Sequence, residues 1–243
     1  METASGTSKL VPFDARLKLN FGALLAGPPA SGKTHFALSL IENADSLLDE
    51  RLDYITWFFG EQGAIEKVQA NAKIKCVEGL PDNLEEYIRP TDPQTGRRLR
   101  GLLVFDDLMN ELGKSEQISI LAANKCHHAD VSWIAMLQNP FSSGRHRIDL
   151  SRCAHYMVLY KNPLDKSVAR YMANKIMPQK TKTFMNIYEA ATARPNGYLF
   201  IDGKQDTPEC ARLRTDIFLP SRQKVFVPIG EMENNVHIVK SGP

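Results

Sequence analysis

The chain has 243 residues, 43% of them apolar, with 30 Lys and Arg against 28 Asp and Glu and a formal net charge of +2. That length can bury a sizeable core in one large domain, and 24% charged with 8% aromatic residues excludes wholesale disorder. The near-neutral total argues against a histone-like polybasic binder, no apolar run is long enough for a membrane helix, and METASGTSKLVPFD lacks the apolar stretch of a secretory signal.

Residues 1–18 are polar and read as a flexible N-terminal arm. Phe21–Ala26 is a short apolar strand, followed by a Gly/Pro turn and an amphipathic helix. Leu52–Phe59 is a second β-rich run ending at Gly60; Ile65–Ala72 reads as a helix, Cys76–Gly79 as an extended piece and Leu84–Ile88 as helical. Leu102–Phe105 is wholly apolar, as a buried parallel strand should be. A helix over Glu111–Ala129 precedes the strand Val131–Leu137, and His155–Tyr160 is the fifth strand. Leu164–Met177 reads as a helix capped near Asp165 or Pro163, Phe184–Ala193 as another, Tyr198–Ile201 as a strand and Val225–Pro228 as a last one. Strands alternating with helices predict an α/β fold with a mostly parallel sheet covered on both faces, whose ligands sit beyond the carboxyl ends of the strands.

Every chemical signal falls at such an end. Gly27–Pro28–Pro29–Ala30–Ser31–Gly32–Lys33–Thr34 fits G-x-x-x-x-G-K-[ST] without a mismatch, between an apolar strand and a helix. The glycines permit a turn whose amides cradle phosphate at a helix N-terminus. Lys33 then reaches the β- and γ-phosphates of a nucleoside triphosphate, and the Thr34 hydroxyl ligates Mg²⁺. Asp106 and Asp107 close the third strand, which assigns Asp106 to the metal and Asp107 to the attacking water as general base; the alternative is an N-cap for the following helix. The order leaves room for one strand inserted between the phosphate-loop strand and the acidic strand. A doubled acid favours ATP hydrolysis over phosphoryl transfer to a small molecule. Gln138, ending Val131–Leu137, is placed to orient water and sense the γ-phosphate, or else is a turn-forming amide before Pro140.

The loop Phe141–Arg147 carries Gly144, Arg145, His146 and Arg147, with Arg152 nearby. It reads as an arginine finger for a neighbouring subunit, as a contact to DNA phosphates, or as a solvated loop. Charge is partitioned: residues 140–190 hold nine basic and three acidic side chains (+6), residues 41–95 five basic and twelve acidic (−7). The basic segment suits a polyanion. Cys76, Cys126, Cys153 and Cys210 are dispersed and read as reduced thiols. Cys126–His127–His128 is too compressed to ligate one zinc ion, and no partner pair lies at zinc spacing.

Together, GPPASGKT, LLVFDDL, the His127–His128 pair leading into SWIAMLQNPF, AHYMVLYKNPLDKS and GYLFIDGKQDTPECARLRTDIF resemble the DNA-packaging ATPases of the FtsK–HerA superfamily, in the poxvirus-like branch that includes Polinton and adintovirus elements. The resemblance spans about Phe21 to Phe218. It implies a RecA-like P-loop NTPase fold of the additional-strand, catalytic-acid type, with ATP and Mg²⁺ as cofactors. It implies Lys33, Asp107, Gln138 and a trans-acting Arg147 as catalytic residues, the family's basic residue matching Arg147 less closely than the other positions match. The implied partners are double-stranded DNA, further copies in a homo-oligomeric ring, and a viral capsid or portal vertex, inside a host cell and without a membrane segment. The expected organisation is the arm at 1–18, one P-loop ATPase domain at 19–220 and a C-terminal tail at 221–243. A P-loop small-molecule kinase and a nucleotide-gated capsid assembly protein are the alternative functions.

Overall fold

The protein is described by a computed structural model covering residues 14–60, 65–108, 118, 128–141, 150–218, 223–228 and 236–240. Within them lie β1 (Gly22–Ala26), α1 (Lys33–Glu42), α2 (Ala44–Leu47), β2 (Tyr54–Phe59), α3 (Ile65–Gln69) and β3 (Ile74–Glu78). A 3₁₀ turn at Leu84–Tyr87 precedes β4 (Gly101–Asp106), β5 (Val131–Leu137) and β6 (Tyr156–Tyr160). The helical hairpin α4 (Ser167–Ile176) and α5 (Thr181–Ala191) follows, then β7 (Tyr198–Asp202), β8 (Leu213–Thr215), β9 (Lys224–Pro228) and β10 (Val236–Lys240). Most of the helix expected over Glu111–Ala129, and the loop with Arg145, His146 and Arg147, lie outside the described residues.

All ten strands form one sheet in the order β10-β9-β8-β7-β6-β1-β5-β4-β2-β3. Pairing is parallel from β3 through β6 and antiparallel from β6 outward to β10. β5 lies between β1 and β4, where the sequence order leaves room for an inserted strand. The central strands are buried along their length because both faces are covered. On one face Leu24, Leu103, Trp133 and Leu159 pack with Ala169 and Ala173 of α4 and Phe184 and Ile187 of α5. On the other, Leu25, Val104, Ile134 and Val158 pack with Phe36, Leu40 and Ile41 of α1. Alternate residues of β1 thus feed opposite layers, and each fully buried Leu or Val contributes about 1.5–3 kcal/mol.

Several boundaries differ from the sequence reading. α4 begins at Ser167 rather than Leu164, because side chains of the preceding loop capture its amides. Asn162 Oδ1 accepts from the Leu164 and Asp165 N–H groups at 3.2 and 3.1 Å, and Asp165 Oδ1 accepts from Ser167 N–H at 2.7 Å. Inside the stretch expected as an arm, Leu17 is buried and exchanges backbone hydrogen bonds with Leu47 and Asp49. Arg214, ion-paired with Asp202 in the interior, donates to the Ala15 carbonyl at 3.0 Å. β8 and β10 extend the sheet beyond the strands that the sequence suggests, and β9 and β10 lie within the expected tail.

The hairpin is tied to the sheet by Tyr188 of α5. Its hydroxyl donates to the Tyr160 carbonyl at 2.9 Å and accepts from Asn162 N–H at 3.1 Å. Removing it leaves two backbone groups short of a partner, which costs about 1–3 kcal/mol. Tyr188→Phe is expected to lower the unfolding free energy by that amount, read as a lower denaturant midpoint at an unchanged m-value; an unchanged midpoint would contradict the tie.

Candidate active site

The loop between β1 and α1 is shaped by two left-handed residues, Ala30 (φ 57°) and Gly32 (φ 102°). Gly32 is the N-cap of α1 and supplies no side chain, so the first amides of this 10-residue helix have no side-chain cap. Those amides and the helix dipole make the loop an anion cradle. Lys33 folds back over it, Nζ donating at 2.8 Å to both the Gly27 and Pro28 carbonyls. Burial holds the Lys33 pKa below its usual value, against the opposing pull of the Asp106 and Asp107 charges. Ser31 Oγ is buried without a hydrogen-bond partner among the described residues, a polar atom suited to a phosphate oxygen.

Asp106 is the last residue of β4, at the rim of the buried run Leu102–Phe105. Its carboxylate accepts from the Thr34 hydroxyl at 3.3 Å. Burial pushes its pKa up, the Thr34 hydrogen bond pulls it down, and the neighbouring Asp107 charge pushes it up again. A hydroxyl and a carboxylate brought together beside a phosphate cradle are the hard oxygen donors that Mg²⁺ takes. Thr34 and Asp106 therefore fit that ion by their chemistry.

Asp107 is exposed and sits at φ 53°, a left-handed conformation uncommon for a residue other than glycine. Such conformations cost on the order of 1–3 kcal/mol and cluster at active sites. Gly60, just after β2, makes this one possible. It donates to the Asp106 carbonyl at 3.1 Å, and a Cβ there would lie 2.5 Å from the Asp107 carbonyl oxygen.

The phosphate loop, Asp106 and Asp107 line a cleft of about 530 Å³, within the range of small-ligand sites. Gln138, exposed at the tip of β5, lines it too. It also borders a smaller cavity beside Gly27, Asn162 and Tyr188, so it lies between the cleft and the α4–α5 hairpin. Arg145 and Arg147 lie outside the described residues. Arg152 is exposed in a helical turn ahead of β6 and does not line the cleft.

Three contributors escaped the sequence reading: Gly60, Lys67 of α3 and Asn196, the latter two lining the cleft. Asn196, left-handed at φ 56°, stands across from Gly32, where a Cβ would lie 3.3 Å from its own. The dipeptide Asn196–Gly197 is a turn signal ahead of β7 that marks the loop. Nothing in the local sequence marks Lys67.

The same fold occurs in solved structures of a viral protein, the genome packaging NTPase B204 from Sulfolobus turreted icosahedral virus 2. In complex with ATP-gammaS it superimposes with a TM-score of 0.52 at 11% identity, over 77% of this chain and 95% of that one. In complex with AMPPCP the TM-score is 0.51 at 12% identity, with the same coverage. B204 from Sulfolobus Turreted Icosahedral Virus, described as a DNA-packaging ATPase, gives 0.50 at 10% identity, over 79% and 96% of the two chains. At such identities the likeness is one of fold, and the chain has the α/β fold of P-loop NTPases. No protein-family model matches the sequence, and no curated protein does.

A methyl group at position 60 would displace the Asp107 backbone. Gly60→Ala is therefore expected to keep nucleotide affinity within about twofold while lowering kcat for ATP hydrolysis about tenfold or more, since misplacement of a reacting group by 1 Å can cost about 10²-fold. An unchanged kcat would show that the Asp107 backbone geometry does not matter to hydrolysis.

Proposed function

We propose that this protein is an ATP-driven translocase that moves double-stranded DNA into the capsid of a virus or virus-like element. The observation that carries the reading is the set of strand tips. The phosphate loop after β1, two successive acids at the end of β4 and Gln138 just beyond the intervening β5 line one cleft. The fold shared with packaging NTPases and the basic segment 140–190 support the choice of polymer.

In this mechanism the loop amides and Lys33 hold the β- and γ-phosphates of ATP. Asp107 orients a water and accepts its proton as the water oxygen bonds to the γ-phosphorus and the bridging oxygen leaves with ADP. Thr34 and Asp106 are the residues that would hold Mg²⁺, which would supply charge neutralisation at the phosphate oxygens. Gln138 registers the presence of the γ-phosphate at the tip of β5. Arg147 of a neighbouring copy supplies positive charge to the transition state, so hydrolysis belongs to a homo-oligomeric ring docked on a capsid or portal vertex in the host cell. Duplex DNA is held by its phosphates, and no base readout is needed. The sequence resemblance supports assignment to the poxvirus-like and Polinton-adintovirus branch.

Purified protein is expected to hydrolyse ATP and to do so several-fold faster with linear duplex DNA. Lys33→Ala should weaken nucleotide binding, whereas Asp107→Asn should bind ATP and leave it intact. Hydrolysis indifferent to DNA, or phosphoryl transfer to an added small-molecule acceptor, would overturn the translocase in favour of another P-loop activity.

A further inference from the structure

The α4–α5 hairpin carries a charge pattern that the nucleotide site does not use. From Lys166 to Tyr188 the sequence holds Lys166, Arg170, Lys175, Lys180 and Lys182 and not one Asp or Glu. The two acids that flank it are engaged locally. Asp165 accepts from the Ser167 amide at the start of α4, and Glu189 pairs with Lys166 at 2.6 Å. The apolar positions of both helices, Ala169, Ala173, Phe184 and Ile187, point into the core, so the cations lie on the outer side, where Arg170, Lys175 and Lys182 are exposed. An aromatic ring lies among them: Tyr171 is 43% exposed, with the Lys175 ammonium 5.5 Å from its ring centre.

Position adds to charge. The hairpin packs beside β6, whereas the acidic segment 41–95 forms the opposite flank of the sheet at β2 and β3. A polyanion is thus drawn to one side of the molecule and repelled from the other. The basic side also touches the nucleotide cleft. Tyr171 packs on Phe141 with ring centres 4.1 Å apart, and Phe141 lies three residues beyond Gln138. Tyr188 ties α5 to Tyr160, whose hydroxyl donates to the Gly32 carbonyl at 3.4 Å. Packed groups thus run from the strand tip and from the phosphate loop to the hairpin.

We propose that the outer face of the α4–α5 hairpin, centred on Arg170, Tyr171, Lys175 and Lys182, is the surface that grips the phosphate backbone of duplex DNA. The proposal rests on the translocase reading and specifies which element touches the polymer. At 1.5 Å per residue α4 is about 15 Å long, roughly four phosphates of one strand at 3.4 Å each. Contacts of this kind release counterions and depend steeply on salt, with a slope of about 0.9 per neutralised phosphate.

The test compares the full-length protein with the triple variant Arg170→Gln, Lys175→Gln, Lys182→Gln, using a mixed-sequence linear duplex. Basal ATPase is expected to stay within about twofold, since none of the three lines the cleft. Duplex affinity should fall at least about tenfold, and the slope of log K against log salt should shrink by roughly 2–3. A control, Lys73→Gln with Lys75→Gln on the opposite flank, should move neither quantity. If wild-type protein binds duplex with a steep salt slope and the triple variant keeps both affinity and slope, the hairpin is not the grip and the translocase reading stands. If wild-type protein shows no salt-sensitive duplex binding, the translocase reading itself fails.

Discussion

A parallel strand covered on both faces has no lateral surface on which to carry a charge. β1 and β5 are buried in this way from end to end and β4 as far as Phe105, and so charge on these strands is confined to their tips. The phosphate loop begins immediately after Ala26, the acids begin at Asp106 after four apolar residues, and Gln138 follows Leu137. The same burial that stabilises the sheet brings these three groups to one rim. It also sets their electrostatics, since Lys33 and Asp106 are both held away from their usual pKa values by partial burial. A site of this kind is costly to the unliganded fold, and the left-handed Asp107 adds to that cost.

The sequence was most readable where one physical signal dominates. The apolar runs of β1, β2, β4, β5 and β6 stand out because strands buried on both faces need no alternation, and the phosphate loop stands out because its glycines, lysine and threonine have fixed spacing. The start of α4 is not legible in the sequence because Asn162 and Asp165 divert the first amides into a turn. β8 is masked in the sequence because its three residues include Arg214, a charge that reads as surface and is in fact buried against Asp202. Gly60 and Asn196 act on the site through close approach of distant segments, to Asp107 and Gly32 respectively. No local pattern encodes such an approach.

Net charge is a poor guide to this molecule. The value of +2 conceals an acidic segment of −7 on the β2–β3 flank and a basic segment of +6 carried largely by the α4–α5 hairpin. Separating the two across the sheet gives the protein a direction, with its nucleotide cleft at the strand tips between them. Phe141, Tyr171, Tyr160 and Tyr188 connect that cleft to the basic side by aromatic packing and hydrogen bonds. On the proposed reading, this packing is the route by which a change of phosphate state is transmitted to the basic surface.

The central claim is that hydrolysis at this cleft moves duplex DNA, and displacement of a third strand annealed at the far end of a linear duplex measures it directly. Wild-type protein is expected to displace it in an ATP-dependent manner, with a lag that lengthens with the distance to the third strand, and Asp107→Asn is expected to displace none. Robust ATP hydrolysis on the same duplex without any displacement would contradict it.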